Sequence, residues 1–206
     1  MRRLFVSFVP ILMILFPGAS AMGDLVIGLG LEYIPMAKLQ YANNPAADYE
    51  IVDNLDWQAR GFYDFGNGFR AGLLFDIYRK RIHPAPFTTD DLSKWGIGLV
   101  GDYGYGITES GNTLLVGGME TGYGELTDEE LSSSKTGGSI WVSGLAGVRF
   151  VLTYNIWLEL DYRLSWLEFE LNGSFPKKYL FSGSSLRLSL EYPFGSETDG
   201  KEEKAK

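Results

Sequence analysis

Glu159, Asp161 and Arg163 are spaced two residues apart. On an extended chain that spacing points all three side chains the same way. Two carboxylates and a guanidinium on one face have two uses. Buried, they pair, because an isolated charge out of water is costly. Beside a water path, they relay protons or select ions. Glu32, Asp56, Arg60, Arg70, Asp76, Asp102, Glu120, Arg149, Arg187 and Glu191 fall on the polar side of other alternating segments. Together with the first three residues they form a candidate interior ion-pair network.

Other chemistry is poorly represented. The single histidine, His83, lies in Ile82-His83-Pro84-Ala85-Pro86, with no serine close by on the same strand face. A serine nucleophile needs a base within hydrogen-bond reach, so a lipid-modifying enzyme is the weakest reading. Gly101-Asp102-Tyr103-Gly104-Tyr105-Gly106 has the glycines of a phosphate loop but not the Lys-Ser/Thr and helix that should follow. With no cysteine, a disulfide framework and a Cys-based zinc site are excluded. The acidic run Thr127-Asp128-Glu129-Glu130 reads as a solvated loop, and Asn172-Gly173-Ser174 matches a glycosylation acceptor pattern. No cofactor, metal or catalytic residue is expected.

The elements that would position the charged residues follow from a period of two. Residues 25–33 place Leu25, Ile27, Leu29, Leu31 and Tyr33 on one face, and Val26, Gly28, Gly30 and Glu32 on the other. The same alternation recurs over residues 51–65, 69–80, 95–105, 115–123, 140–150, 156–166 and 186–194. Ile51 is read on the greasy face, with Asp53 as an exception there and Phe62 as an exception on the polar face. Short connections at 66–68, 107–112 and 153–154 alternate with long ones at 35–49, 82–93, 126–138 and 171–183. Long and short connections then fall at opposite ends of an up-and-down sheet.

The N-terminus reads as a leader. Met1-Arg2-Arg3 is basic, residues 4–16 are almost wholly apolar, and Ala19-Ser20-Ala21 predicts cleavage after Ala21. The apolar run is shorter than the ~20 residues a spanning helix needs. The formal charge of −8 loses Arg2 and Arg3 with the leader, and −8 − 2 gives −10. So acidic a chain lacks the basic face that nucleic acid requires.

Aromatic residues separate a membrane barrel from a soluble one. Tyr63, Phe65, Phe69, Tyr103, Tyr105, Phe150, Tyr192 and Phe194 fall at the short-turn end of the greasy face. Tyr33, Trp95, Tyr123 and Trp166 fall near the long-loop end. Two aromatic rings around an aliphatic band are the girdles of a lipid-facing surface. In lipid every backbone polar group must pair within the protein, so the last strand must close on the first. The fold expected is an all-β, closed, antiparallel, up-and-down transmembrane β-barrel of eight strands over residues 22–194, with a charged tail over 195–206.

Over residues 24–194 the chain resembles the OmpA/OmpX-like family of small eight-stranded outer-membrane barrels. Its last strand, Leu186-Arg187-Leu188-Ser189-Leu190-Glu191-Tyr192-Pro193-Phe194, is similar to the signal read by the barrel-assembly machinery, with Pro193 and the tail as departures. The resemblance implies a monomer in the bacterial outer membrane, with lipid and lipopolysaccharide as partners. Lys177 and Lys178, in the fourth long loop, are candidates for lipopolysaccharide contact. The functional expectation is a structural or surface-interaction barrel whose external loops carry any binding. The alternatives are a narrow ion channel or a carrier of small hydrophobic ligands.

Overall fold

Strands that alternate greasy and polar residues bury one face only by curling the sheet until its edges meet. The computed structural model describes residues 24–41, 48–83, 90–130, 133–153, 156–171 and 176–194. The leader, the tail after Phe194 and Asn172-Gly173-Ser174 lie outside the described residues. The strands are β1 (Asp24–Tyr41), β2 (Tyr49–Asp64), β3 (Phe69–Ile82), β4 (Asp90–Gly106), β5 (Thr113–Glu130) and β6 (Ser133–Thr153). They continue as β7 (Ile156–Trp166), β8 (Glu168–Leu171), β9 (Lys177–Leu180) and β10 (Gly183–Phe194). Each pairs antiparallel with its neighbours, and β1 meets β10 from Leu25 opposite Phe194 to Tyr33 opposite Leu186, which closes the barrel. β8 extends β7 past Leu167, and β9 leads into β10, so the wall is eight-stranded.

The strands are longer than alternation predicts. Most of residues 126–138, read as a loop, belongs to the β5–β6 hairpin, which is paired out to Glu130 opposite Ser133. Residues 35–41, 90–93 and 177–180 are likewise strand. The reason lies in the chemistry of the two faces. Along β7 and β8 the inward positions are Glu159, Asp161 and Arg163, then Leu167, Phe169 and Leu171, while Glu168 and Glu170 point outward. The parity holds but the chemistry inverts. Below this level lipid surrounds the wall. Above it, water does, so the greasy side turns in.

In the lipid-facing band the exposed side chains are apolar. Leu29, Leu99, Met119, Leu160, Leu188 and Leu190 are all exposed, and both aromatic girdles face outward. Trp95 and Tyr123 touch edge-on at 6.2 Å, and Phe65 stacks on Phe69 at 5.5 Å. Trp57, 66% exposed, is a further aromatic near the loop-end girdle. Leu99 is 62% exposed and lies midway along β4. Leu99→Arg should cost about 2–4 kcal/mol, the depth-dependent cost of a cation at the bilayer midplane. Urea titration in lipid vesicles checks this, and a change within error would show that this face does not meet lipid.

Above the girdles the wall parts between β2 and β3, while β8 stays beside β6, with the Glu170 carbonyl against Gly137. β2 pairs with β3 only as far as Asp56 opposite Tyr78, yet it pairs with β1 out to Tyr49. β9 joins β1 to β8, so β2, β1, β9 and β8 form one four-stranded sheet. β3, β4, β5 and β6 form the other. Between them lie Leu39, Ile51, Leu171, Tyr179 and Phe181 from the first sheet and Tyr78, Ile82, Leu92 and Leu126 from the second, all buried. Ile51, expected on the outer face, is therefore an interior residue. Asp53, with φ 53°, and the Pro35–Met36 stretch opposite it shift the inward parity of both strands at this level.

Candidate functional site

The inward face is filled in layers. At the turn end Val26, Phe62 and Trp157 form an apolar floor, and the guanidinium of Arg70 lies 4.2 Å over the Phe62 ring. Above it is the charged layer. Every residue of the candidate network is buried, and Arg70, Glu159, Asp161 and Arg187 have no exposed surface.

Arg70 on β3 donates from Nε and Nη2 to the two oxygens of Asp102 on β4, at 2.9 and 2.7 Å. Its Nη1 reaches Glu191 on β10 at 2.6 Å, and its Nη2 also reaches Glu159 on β7 at 3.1 Å. Arg149 donates to Glu159 at 2.8 and 2.5 Å and to Asp102 at 3.1 Å. Arg60 donates to Glu159 at 2.9 Å, and its Nη2 lies 3.0 Å from Glu191, in ion-pair range but off the hydrogen-bonding direction. One level up, Arg187 holds Asp161 at 2.9 and 2.7 Å and Glu120 at 2.5 Å. Arg163 joins Glu120 to Glu32, and Gln58 and Ser185 donate to Glu32 as well. The network thus ties strands on opposite sides of the barrel. Planar guanidinium forks suit this, since each serves several carboxylates at fixed angles.

A smaller group sits higher. Lys94 bonds Asp56 and lies 3.1 Å from Asp76. Sequence reasoning missed Lys94 because it begins the fourth strand at Trp95. One more inward step on the Gly96, Gly98 side of β4 would have reached it. Over this group lies Trp141, whose ring occupies space left by glycines. A Cβ on Gly98 or Gly122 would approach it to 2.7 or 2.4 Å. The small residues of the polar face therefore make room for an aromatic as well as for charges.

The apolar cap between the two sheets follows, and within it a polar latch. Lys177 on β9 donates to Asp90 on β4 at 2.8 Å and to Asp128 on β5 at 2.7 Å. Tyr179 adds a 2.8 Å bond to Asp128. Burial first, then the Asp128 carboxylate, pushes the Tyr179 phenol above its ordinary range and keeps it a donor. Lys177 was expected to meet lipopolysaccharide. It is instead 5% exposed and turned inward, because β9 continues the wall and alternation sends residues 177, 179 and 181 to the interior. Lys178 faces out and pairs with Glu168 at 2.6 Å. Asp128, read as part of a solvated loop, is buried in this latch. His83 is exposed at the end of β3. Among the described residues no group of three or more metal-ligating side chains converges.

No family model matches this chain, and no curated protein sequence matches it. Solved structures do. The chain is similar to the Neisserial surface protein A at 18% identity, with 82% of this chain and 97% of that one covered and a TM-score of 0.59. The outer membrane protein OprG of Pseudomonas aeruginosa aligns at 11% identity over 85% of this chain and 97% of its own, with a TM-score of 0.61. The attachment invasion locus protein of Yersinia pestis aligns at 15% identity over 84% and 99%, with a TM-score of 0.52. These likenesses show the fold. It is the closed eight-stranded barrel of small outer-membrane proteins, as the sequence resemblance implied.

Proposed function

We propose that this chain is a non-enzymatic barrel of the bacterial outer membrane, exported with residues 1–21 removed, that presents a rigid two-sheet platform at the cell surface. With the N-terminus in the periplasm, the short turns lie there and the extended loop end lies outside. The observation that carries the proposal is the layered interior. Ion pairs cross the axis at several levels under an apolar cap. Such an interior favours a structural or surface-interaction role over a channel. Binding belongs to the platform and its loops, where a rigid scaffold supports variable residues. Lys178, which faces outward, remains a candidate for lipopolysaccharide contact.

Planar-bilayer recording tests this reading. The purified barrel should give no stable conductance steps. Ion-selective steps that disappear on replacing Arg163 or Glu159 would establish a channel instead. Lipid A from cells with and without the protein should have one mass spectrum, and a new species that requires the protein would establish an enzyme.

A further inference from the structure

The wall has a break at the seam where the barrel closes. β1 pairs with β10 as far as Tyr33 opposite Leu186 and resumes with β9 at Lys38 opposite Leu180. Residues 34–37 therefore face residues 181–185, with one more residue on the second side than on the first. Gly183 takes φ 138°, a conformation that side-chain-bearing residues rarely adopt, and Pro35 has no N–H to donate across the seam. The break lies at the loop-end girdle, between Tyr33 and Trp166.

Behind the break is a cavity of about 20 Å³. That is room for a water-sized polar group. Exposed Gly183 and outward-facing Ser184 border it, and so do inward-facing Glu32, Asp56, Asp76 and Lys94, so it reaches from the interior to the side of the barrel. Its charges do not balance. Arg163 is shared between Glu32 and Glu120, and Lys94 is the cation between Asp56 and Asp76. Asp56 is 1% exposed, and its Oδ1 has no hydrogen-bond partner.

We propose that this cavity binds the primary ammonium head of a single-chain amphiphile that enters sideways from the outer leaflet. An ammonium supplies a positive charge and a donor for Asp56 Oδ1. Arg163 also lines the cavity, and its Nε likewise has no partner, a further donor that does not compensate Asp56. The apolar chain stays outside along the lipid-facing wall. A phosphate-bearing headgroup is repelled by Glu32, Asp56 and Asp76. This site is distinct from the surface platform proposed above and does not depend on it.

Trp141 borders the cavity and serves as a reporter. The full-length protein, refolded in phosphatidylcholine vesicles, is titrated with decylamine, decanol and decanoate. The difference in fluorescence between the wild type and Trp141→Phe isolates the cavity signal. Decylamine should give a saturable change that decanol and decanoate do not. Asp56→Asn should raise its half-saturation at least tenfold, and Ser184→Trp, an outward substitution at the mouth, should abolish it. Both variants are first checked for a folded, heat-modifiable band. Equal responses to amine and alcohol overturn the proposal. So does unchanged affinity in a folded Asp56→Asn or Ser184→Trp barrel, or the absence of any saturable change, which would mark a cavity for water alone.

Discussion

Arg70→Met should destabilise the barrel by about 3–5 kcal/mol, the usual cost of removing one member of a buried ion cluster. Arg70 has no exposed surface and serves Asp102, Glu159 and Glu191 at once. Asp102 keeps only a single bond from Arg149 when Arg70 is lost, and Glu191 keeps ion pairs with Arg60 at 3.0 Å and Arg149 at 3.7 Å that are not aligned as hydrogen bonds. Three buried carboxylates then share less positive charge. Arg70→Lys keeps the charge but cannot make the two parallel bonds to Asp102, so it should recover only part of the loss. Arg70→Met with Asp102→Asn should also recover part, because the neutral amide no longer needs a cation. Urea unfolding in lipid vesicles, followed by gel mobility, measures all three. A wild-type midpoint for Arg70→Met would mean that the network contributes little to folding.

Lys177→Met is expected to act locally. It leaves Asp90 and Asp128 buried between the two sheets without their shared cation, again a penalty of about 3–5 kcal/mol, here placed on the loop-end extension. The latch lies beyond the girdle level of β4 and β5. Amide exchange should therefore accelerate at residues 177–180 and at their partners on β1, from Lys38 to Tyr41. It should stay slow where Leu25 to Tyr33 pair with β10. Adding Asp90→Asn and Asp128→Asn should restore much of the protection. Unchanged exchange in the single variant would show that the sheets are held by apolar packing alone. If exchange rose throughout the barrel instead, the two-sheet extension would not be a separate unit of stability.

The membrane-level half of this structure was legible because lipid imposes a simple rule. Leu25 to Tyr33 and Leu186 to Phe194 alternate without interruption, and their charges fall inward. The loop end was harder to read for three physical reasons. The irregular stretch at Pro35 and Asp53 changes inward parity without shifting the register, which moved Ile51 from the expected outer face to the core. Above the girdles the greasy side turns inward, so Leu167, Phe169 and Leu171 read as an ending when they continue the wall. Finally, Lys177 and Asp128 look like solvated loop residues until their strands are extended, and their partners come from distant positions. Inversion of greasy parity within one strand was the available signal, and it marks where the chain leaves the bilayer.

Closure of the barrel by β1 against β10 is tested most directly by a crosslink. The chain has no cysteine, so a disulfide can arise only from introduced pairs. Leu29 stands opposite Leu190 across the closing seam and opposite Ala59 across the β1–β2 hairpin. After oxidation of the folded protein in vesicles, both Leu29→Cys/Leu190→Cys and Leu29→Cys/Ala59→Cys should form a bond and shift the boiled, unreduced band. A hairpin pair that crosslinks while the seam pair stays reduced would show an open sheet and contradict the barrel.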